Sequence, residues 1–174
     1  MGNISEPTPV KLFVGMLSSE GPLFAAVVNQ LQKIFGEIDL ESPEWPWEFT
    51  KYYAREMGEG LKRKFVFFKK PIHPGEISDI KVKTNDIEKQ FLRNEGGRKI
   101  NLDPGYLDSA KLVLVSTKNF SHRMYLDKGI YGEVTLMYSG DNYQPLPYTF
   151  PDYKSDEYLA VFNEARRLFK ERFK

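Results

Sequence analysis

"GGRKINLDPGYLDSAKLVLVSTKNFSHRMYLDKGIYGEVTL", Gly96 to Leu136, is a series of short apolar runs broken by polar turns. Runs of this kind read as strands of an antiparallel meander. Strands are expected around Lys99 to Leu102, Lys111 to Thr117, Arg123 to Leu126 and Gly129 to Tyr138. Asp103-Pro104-Gly105 is a turn signal, which puts Asp103 at a strand end. The stretch also carries Arg98, Asn101, Asp103, Ser116, Lys118, Arg123 and Glu133. Side chains alternate across a strand, so Asn101 and Asp103 point together. In the last strand Ile130, Gly132, Val134 and Leu136 form the expected core face, with Tyr131, Glu133 and Thr135 on the other.

On the N-terminal side, "VKLFVGMLS" (Val10 to Ser18) is nearly continuous in apolar residues, as a central strand would be. Pro22 opens a helix whose stripe is Phe24, Val27, Val28, Leu31, Ile34 and Phe35, with Gly36 as its stop. "EIDLESPEWPWEFTKYYAREMG" begins as a strand, loops through two tryptophans and resumes near Tyr52, read here as strand. "LKRKFVFFKKP" is a strand ended by Pro71. Pro74 opens a second helix through Ile77, Ile80, Thr84, Ile87 and Phe91, ended by Gly96-Gly97. Beyond the meander, "YQPLPYTFPDY" reads as extended chain across the surface. A C-terminal helix follows, capped by Ser155, with Tyr158, Val161, Phe162, Ala165, Leu168, Phe169 and Phe173 on its buried face.

The order predicts a single α+β domain over 9–174, after a flexible tail at 1–8. Its expected form is a mostly antiparallel sheet with two or three packed helices. The first part matches a ferredoxin-like core, extended by added strands and a C-terminal helix.

Composition narrows the chemistry. Twenty-five Lys and Arg against 24 Asp and Glu leave no excess charge for non-specific nucleic-acid or membrane binding. With no cysteine, disulfides, thiolate catalysis, zinc-thiolate sites and iron–sulfur clusters are excluded. Two histidines, His73 and His122, exclude a histidine-rich metal site. No run is long and apolar enough to span a bilayer, and no secretory signal is visible, so a soluble cytoplasmic protein is expected. Nothing in the sequence sets an oligomeric state.

Two readings of the charged residues stay open. Arg98, Lys118 and Arg123 would clamp a phosphate or carboxylate, while Asp103, Glu133 and Glu56 would hold Mg²⁺. Alternatively, the same groups form a ladder of cross-strand ion pairs. His122 is either an acid–base group or a surface residue, and the C-terminal Arg166, Arg167, Lys170, Arg172 and Lys174 are explained by helix-dipole and solvent contacts.

"GGRKINLDPGYL", "KLVLVSTKNFSHRMYLDKGIYGEVTL" and "PLPYTFPDY", with "KLFVGMLS", "TKYYAREMG" and "IKVKTNDIE" before them, resemble a prokaryotic family known as domain of unknown function 4416. The resemblance runs from about Val10 to Arg167. It singles out Thr50, Tyr53, Glu56, Arg98, Asn101, Asp103, Ser116, Lys118, Arg123, Glu133, Thr149 and Asp152 as polar residues within its motifs. Members are sometimes labelled GTP-binding, which implies a guanine nucleotide. The chain has neither Gly-x-x-x-x-Gly-Lys-Ser/Thr nor Asn-Lys-x-Asp, so weak or no preference for guanine is expected.

Together these readings lead to a polar pocket for a small anionic ligand, a nucleotide or other phosphate compound with Mg²⁺. Seven residues are expected to contact it: Arg98, Asn101, Asp103, Ser116, Lys118, Arg123 and Glu133. The alternatives are a small hydrolase or transferase using Asp103 or Glu133, and a non-catalytic interaction module using the proline-aromatic loops.

Overall fold

The computed structural model describes residues 2–50, 54–94 and 96–172. Residues 2–9 form no helix or strand and are exposed. Strand β1 (Lys11–Ser18) leads into helix α1 (Gly21–Phe35), then β2 (Ile38–Glu41) and the two-residue β3 (Trp45–Pro46). A single helical turn, α2 (Ala54–Met57), precedes β4 (Lys62–Phe68) and helix α3 (Ile77–Lys89). The meander follows as β5 (Ile100–Leu107), β6 (Lys111–Ser116), β7 (Met124–Asp127) and β8 (Ile130–Ser139). Strand β9 (Asn142–Pro145) and helix α4 (Asp156–Glu171) complete the chain.

Among the described residues these nine strands make one antiparallel sheet, in the order β2-β4-β1-β5-β6-β8-β7, with β3 on β4 and β9 on β8. The first four positions are those of a split strand–helix–strand core: β4 lies between β2 and β1, and β1 between β4 and β5. Strand β1 has a layer on each face, which explains its unbroken apolar run. Its Leu12, Val14 and Met16 pack with α1 and α3, alongside Val66, Phe68, Ile100 and Leu102. Phe13 points the other way, into Phe65, Phe67, Leu107, Leu112, Leu114 and the α4 residues Tyr158, Phe162, Ala165 and Phe169. No helix among the described residues is long and apolar enough to cross a membrane.

Several expectations change. The Asp103-Pro104-Gly105 signal makes no turn: β5 runs straight through it, pairing with β1 from Ile100 to Leu107. Neighbouring strands override local turn preference here. Of the segment expected as strand near Tyr52, residues 51–53 lie outside the described residues and 54–57 are helical. Helix α3 stops at Lys89, before Gly96-Gly97, and Ile34 is exposed rather than on the buried stripe of α1. Phe173 and Lys174 lie outside the described residues. "YQPLPYTFPDY" does not simply cross the surface, because β9 extends the sheet and Tyr143, Thr149, Asp152 and Tyr153 are buried. An irregularity in the β6–β8 register between Leu112 and Val113 breaks the strict alternation of β8. Ile130 consequently joins the α1–α3 core while Leu136 joins the α4 core.

Candidate functional site

The break between β5 and β6 creates the site. Strand β6 pairs with β5 only at Gly105, Tyr106 and Leu107, so the first half of β5 has β1 on one edge and no partner strand on the other. Pro104, which has no N–H to give, stands where the ladder stops. One step along the strand Gly105 is required, since a Cβ there would lie 2.4 Å from the Val113 carbonyl oxygen. The unpaired backbone of Leu102 is satisfied from α3 instead. Lys81 Nζ donates to the Leu102 carbonyl (2.7 Å), and the Leu102 N–H donates to Glu88 (2.6 Å). Two buried charged side chains therefore replace a strand. The gap they hold open is a cavity of about 800 Å³.

All seven residues expected to contact a ligand line this cavity: Arg98, Asn101, Asp103, Ser116, Lys118, Arg123 and Glu133. They are also bonded to one another, so the ion-pair and pocket readings describe the same groups. Arg98 donates to Asn101 (2.7 Å), and Asn101 donates to Asp103 (2.6 Å). Arg98 also reaches Glu88 (3.1 Å) and grips Glu56 with two contacts, 2.7 and 3.2 Å. Across the gap, Glu133 is buried and accepts from Arg123 (2.7 Å) and Thr135 (3.1 Å), with His122 Nε2 at 3.0 Å. The His122 ring stacks on Tyr148 with centroids 4.3 Å apart. Arg123 further donates to the Lys118 carbonyl (2.9 Å) and to Ser116 Oγ (3.4 Å).

Glu56, Asp103 and Glu133, expected as Mg²⁺ ligands, are each paired with a different arginine: Asp103 with Arg63, Glu56 with Arg98 and Glu133 with Arg123. Among the described residues no three Asp, Glu or His side chains converge as metal ligands.

The floor of the cavity contains an arginine that the strand pattern could have revealed. In β4, Arg63 shares a face with Phe65 and Phe67, so an arginine falls in an apolar register. It is buried and donates to Asp103 (3.2 Å) and Asp152 (3.4 Å); Asp152 also accepts from the Trp47 indole (2.9 Å). Lys81 and Glu88 were missed in the same way. They fall on the buried stripe of α3, among Ile77, Ile80, Thr84 and Ile87.

Burial alone would raise the Asp103 carboxyl, but Lys81, Arg63 and the Asn101 hydrogen bond outweigh it and hold it below the ordinary aspartate range. For Glu88 burial wins, and its carboxyl is raised despite Lys81, the Leu102 amide and Arg98. An Asp103 crowded only by acids would gain stability on becoming asparagine. The cations around it predict the opposite. Asp103→Asn is expected to cost about 2 kcal/mol at neutral pH, below the usual cost of breaking a buried pair because the side chain is 32% exposed. A depressed folded pKa contributes stability above the unfolded value, lost as pH falls. The deficit of the variant should therefore shrink as pH drops through the aspartate range in denaturant titrations. An equal deficit at all pH values would remove the charge from the explanation.

A family model described as Domain of unknown function (DUF4416) matches residues 8–169. No curated protein and no solved structure matches the chain.

Proposed function

The chain belongs to the domain of unknown function 4416 family, and from its cavity we propose that it binds a small anionic ligand, a phosphate compound such as a nucleotide. The observation carrying this reading is the charge of the split in the sheet. Among the described residues six cations line it (Arg63, Lys81, Lys89, Arg98, Lys118 and Arg123) against four carboxylates (Glu88, Asp103, Glu133 and Asp152). The excess is positive although the whole chain is nearly neutral. Trp47, Phe49, Phe150 and Tyr153 add an aromatic wall, with Phe49 and Phe150 exposed. A volume of about 800 Å³ lies within the roughly 300–1,000 Å³ typical of small-molecule sites. Apolar walls with a few convergent charges suit a ligand having both an anionic and an aromatic part. Mg²⁺ would arrive with the phosphate, since each carboxylate expected to hold it is already paired with an arginine of the chain.

The test is a thermal-shift screen of nucleotides and phosphorylated metabolites, with and without Mg²⁺. A ligand at a hundred times its dissociation constant adds about 2.7 kcal/mol. For a chain of this size that is a rise of roughly 5–10 °C. Equal shifts for ATP and GTP are expected, because no Asn-Lys-x-Asp stretch reads guanine. A flat screen across all anions would sink the reading. Asp103, held below the ordinary aspartate range, suits a charged anchor better than a proton donor. Turnover of a bound compound, followed by phosphorus NMR, would favour the hydrolase or transferase alternative.

A further inference from the structure

Resting on that reading, we propose that the ligand's phosphate binds at the Arg98–Lys118 corner of the cavity, and that the Glu56 carboxylate occupies this subsite until the ligand displaces it. The geometry of Arg98 divides its guanidinium in two. Nη1 faces inward, to Glu88 at 3.1 Å and Asn101 at 2.7 Å. The opposite edge, Nε and Nη2, is covered by the two oxygens of Glu56 at 2.7 and 3.2 Å. That fork is the edge by which arginine takes a phosphate or carboxylate with two parallel bonds. A carboxylate of the chain is therefore seated as a ligand oxyanion would be.

Lys118 completes the corner. It lines the cavity and acts electrostatically on the Glu56 carboxylate, adding to the Arg98 hydrogen bond that holds that carboxyl below its usual range.

Of the carboxylates paired with the arginines expected to clamp a ligand, Glu56 can leave most easily. Its side chain is 37% exposed, against 7% for Glu88 and 2% for Glu133. A carboxylate released into water is rehydrated, whereas Glu88 or Glu133 would be left charged inside the protein. Glu88 also holds the Leu102 amide, and Glu133 holds Arg123 and Thr135. Glu56 has neither obligation among these bonds, and it stands on a single helical turn.

The experiment is calorimetric titration of the whole chain with inorganic phosphate, comparing wild type, Glu56→Gln and Glu56→Asp. Glutamine keeps the shape but no longer competes as a charge, and aspartate is too short to cover both nitrogens. Phosphate is expected to bind about tenfold more tightly to Glu56→Gln and by an intermediate factor to Glu56→Asp. Melting curves of both variants without phosphate check that they are folded. Unchanged or weaker phosphate binding in Glu56→Gln overturns the proposal. So does a gain for acetate that phosphate does not share. If wild type responds in the nucleotide screen while Glu56→Gln does not gain phosphate affinity, this inference fails and the pocket reading stands. If wild type responds to nothing, both fail.

Discussion

Arg63→Met should lower stability by about 3 kcal/mol, toward the lower end of the range for breaking a buried ion pair from one side. The guanidinium is buried on the floor of the cavity and joins β4 to two carboxylates remote in sequence, Asp103 on β5 and Asp152 before α4. Methionine fills much of the volume but leaves both carboxylates without their shared cation. Asp103 keeps Lys81 and Asn101, and Asp152 keeps the Trp47 indole, so the loss stays short of the maximum. For a chain of this length the melting temperature should fall by roughly 6–12 °C. Adding Asp152→Asn to Arg63→Met should return part of the loss, because it removes the more deeply buried of the two stranded charges. Urea unfolding of the single and double variants measures this coupling directly. A cost below about 1 kcal/mol for Arg63→Met, the scale of a surface pair, would mean that the guanidinium is not an organising centre of the site.

Phe162→Ala tests the α4 layer that packs beside the cavity on the same face of the sheet, and should cost about 4 kcal/mol, in the usual range for emptying a buried phenylalanine site. Phe162 is fully buried on α4, its ring 5.4 Å from Phe13, 5.0 Å from Phe65 and 5.9 Å from Phe67. It also stacks on Tyr153 at 5.7 Å. Three of those partners belong to the two central strands, so the surrounding rings cannot collapse into the space without moving the sheet. Because Tyr153 lines the cavity, the variant should also loosen that wall. Any phosphate compound found in the thermal screen should bind it more weakly. Thermal and denaturant unfolding would give the stability loss. A change under about 1 kcal/mol would show that α4 is held elsewhere, for instance by Phe169 or Ala165.

Much of the frame was legible in the sequence because it follows from periodicity. The unbroken run Val10 to Ser18 had to be covered on both faces, and it is, by α1 and α3 on one side and α4 on the other. The stripe of α4 and its Ser155 cap, the stop of α1 at Gly36 and the positions of β6 to β8 are local properties as well. Strand parity placed Asn101 and Asp103 together, and they are hydrogen-bonded. The ladder-or-pocket alternative, by contrast, had no local answer. Whether Arg98 meets Glu56 or Asn101 depends on how far β6 follows β5, and no spacing within either strand encodes that distance.

Tertiary structure decided three things. It overrode the turn preference of Asp103-Pro104-Gly105, because pairing along the whole of β5 with β1 satisfies more backbone groups than a turn would. It parted β6 from β5 beyond Leu114, while β6 stays paired with β8 as far as Ser116, so that Pro104 faces a gap on that edge. And it brought Lys81 and Glu88 from a helix, Arg63 from a strand and Asp152 from the segment before α4 to a cavity that also holds Asp103, Arg123 and Glu133 of the meander. Lys81, Glu88 and Arg63 each occupy an apolar position of their own element. Such a position is tolerable only where partners from other elements neutralise the charge, and those partners exist only once the chain has folded.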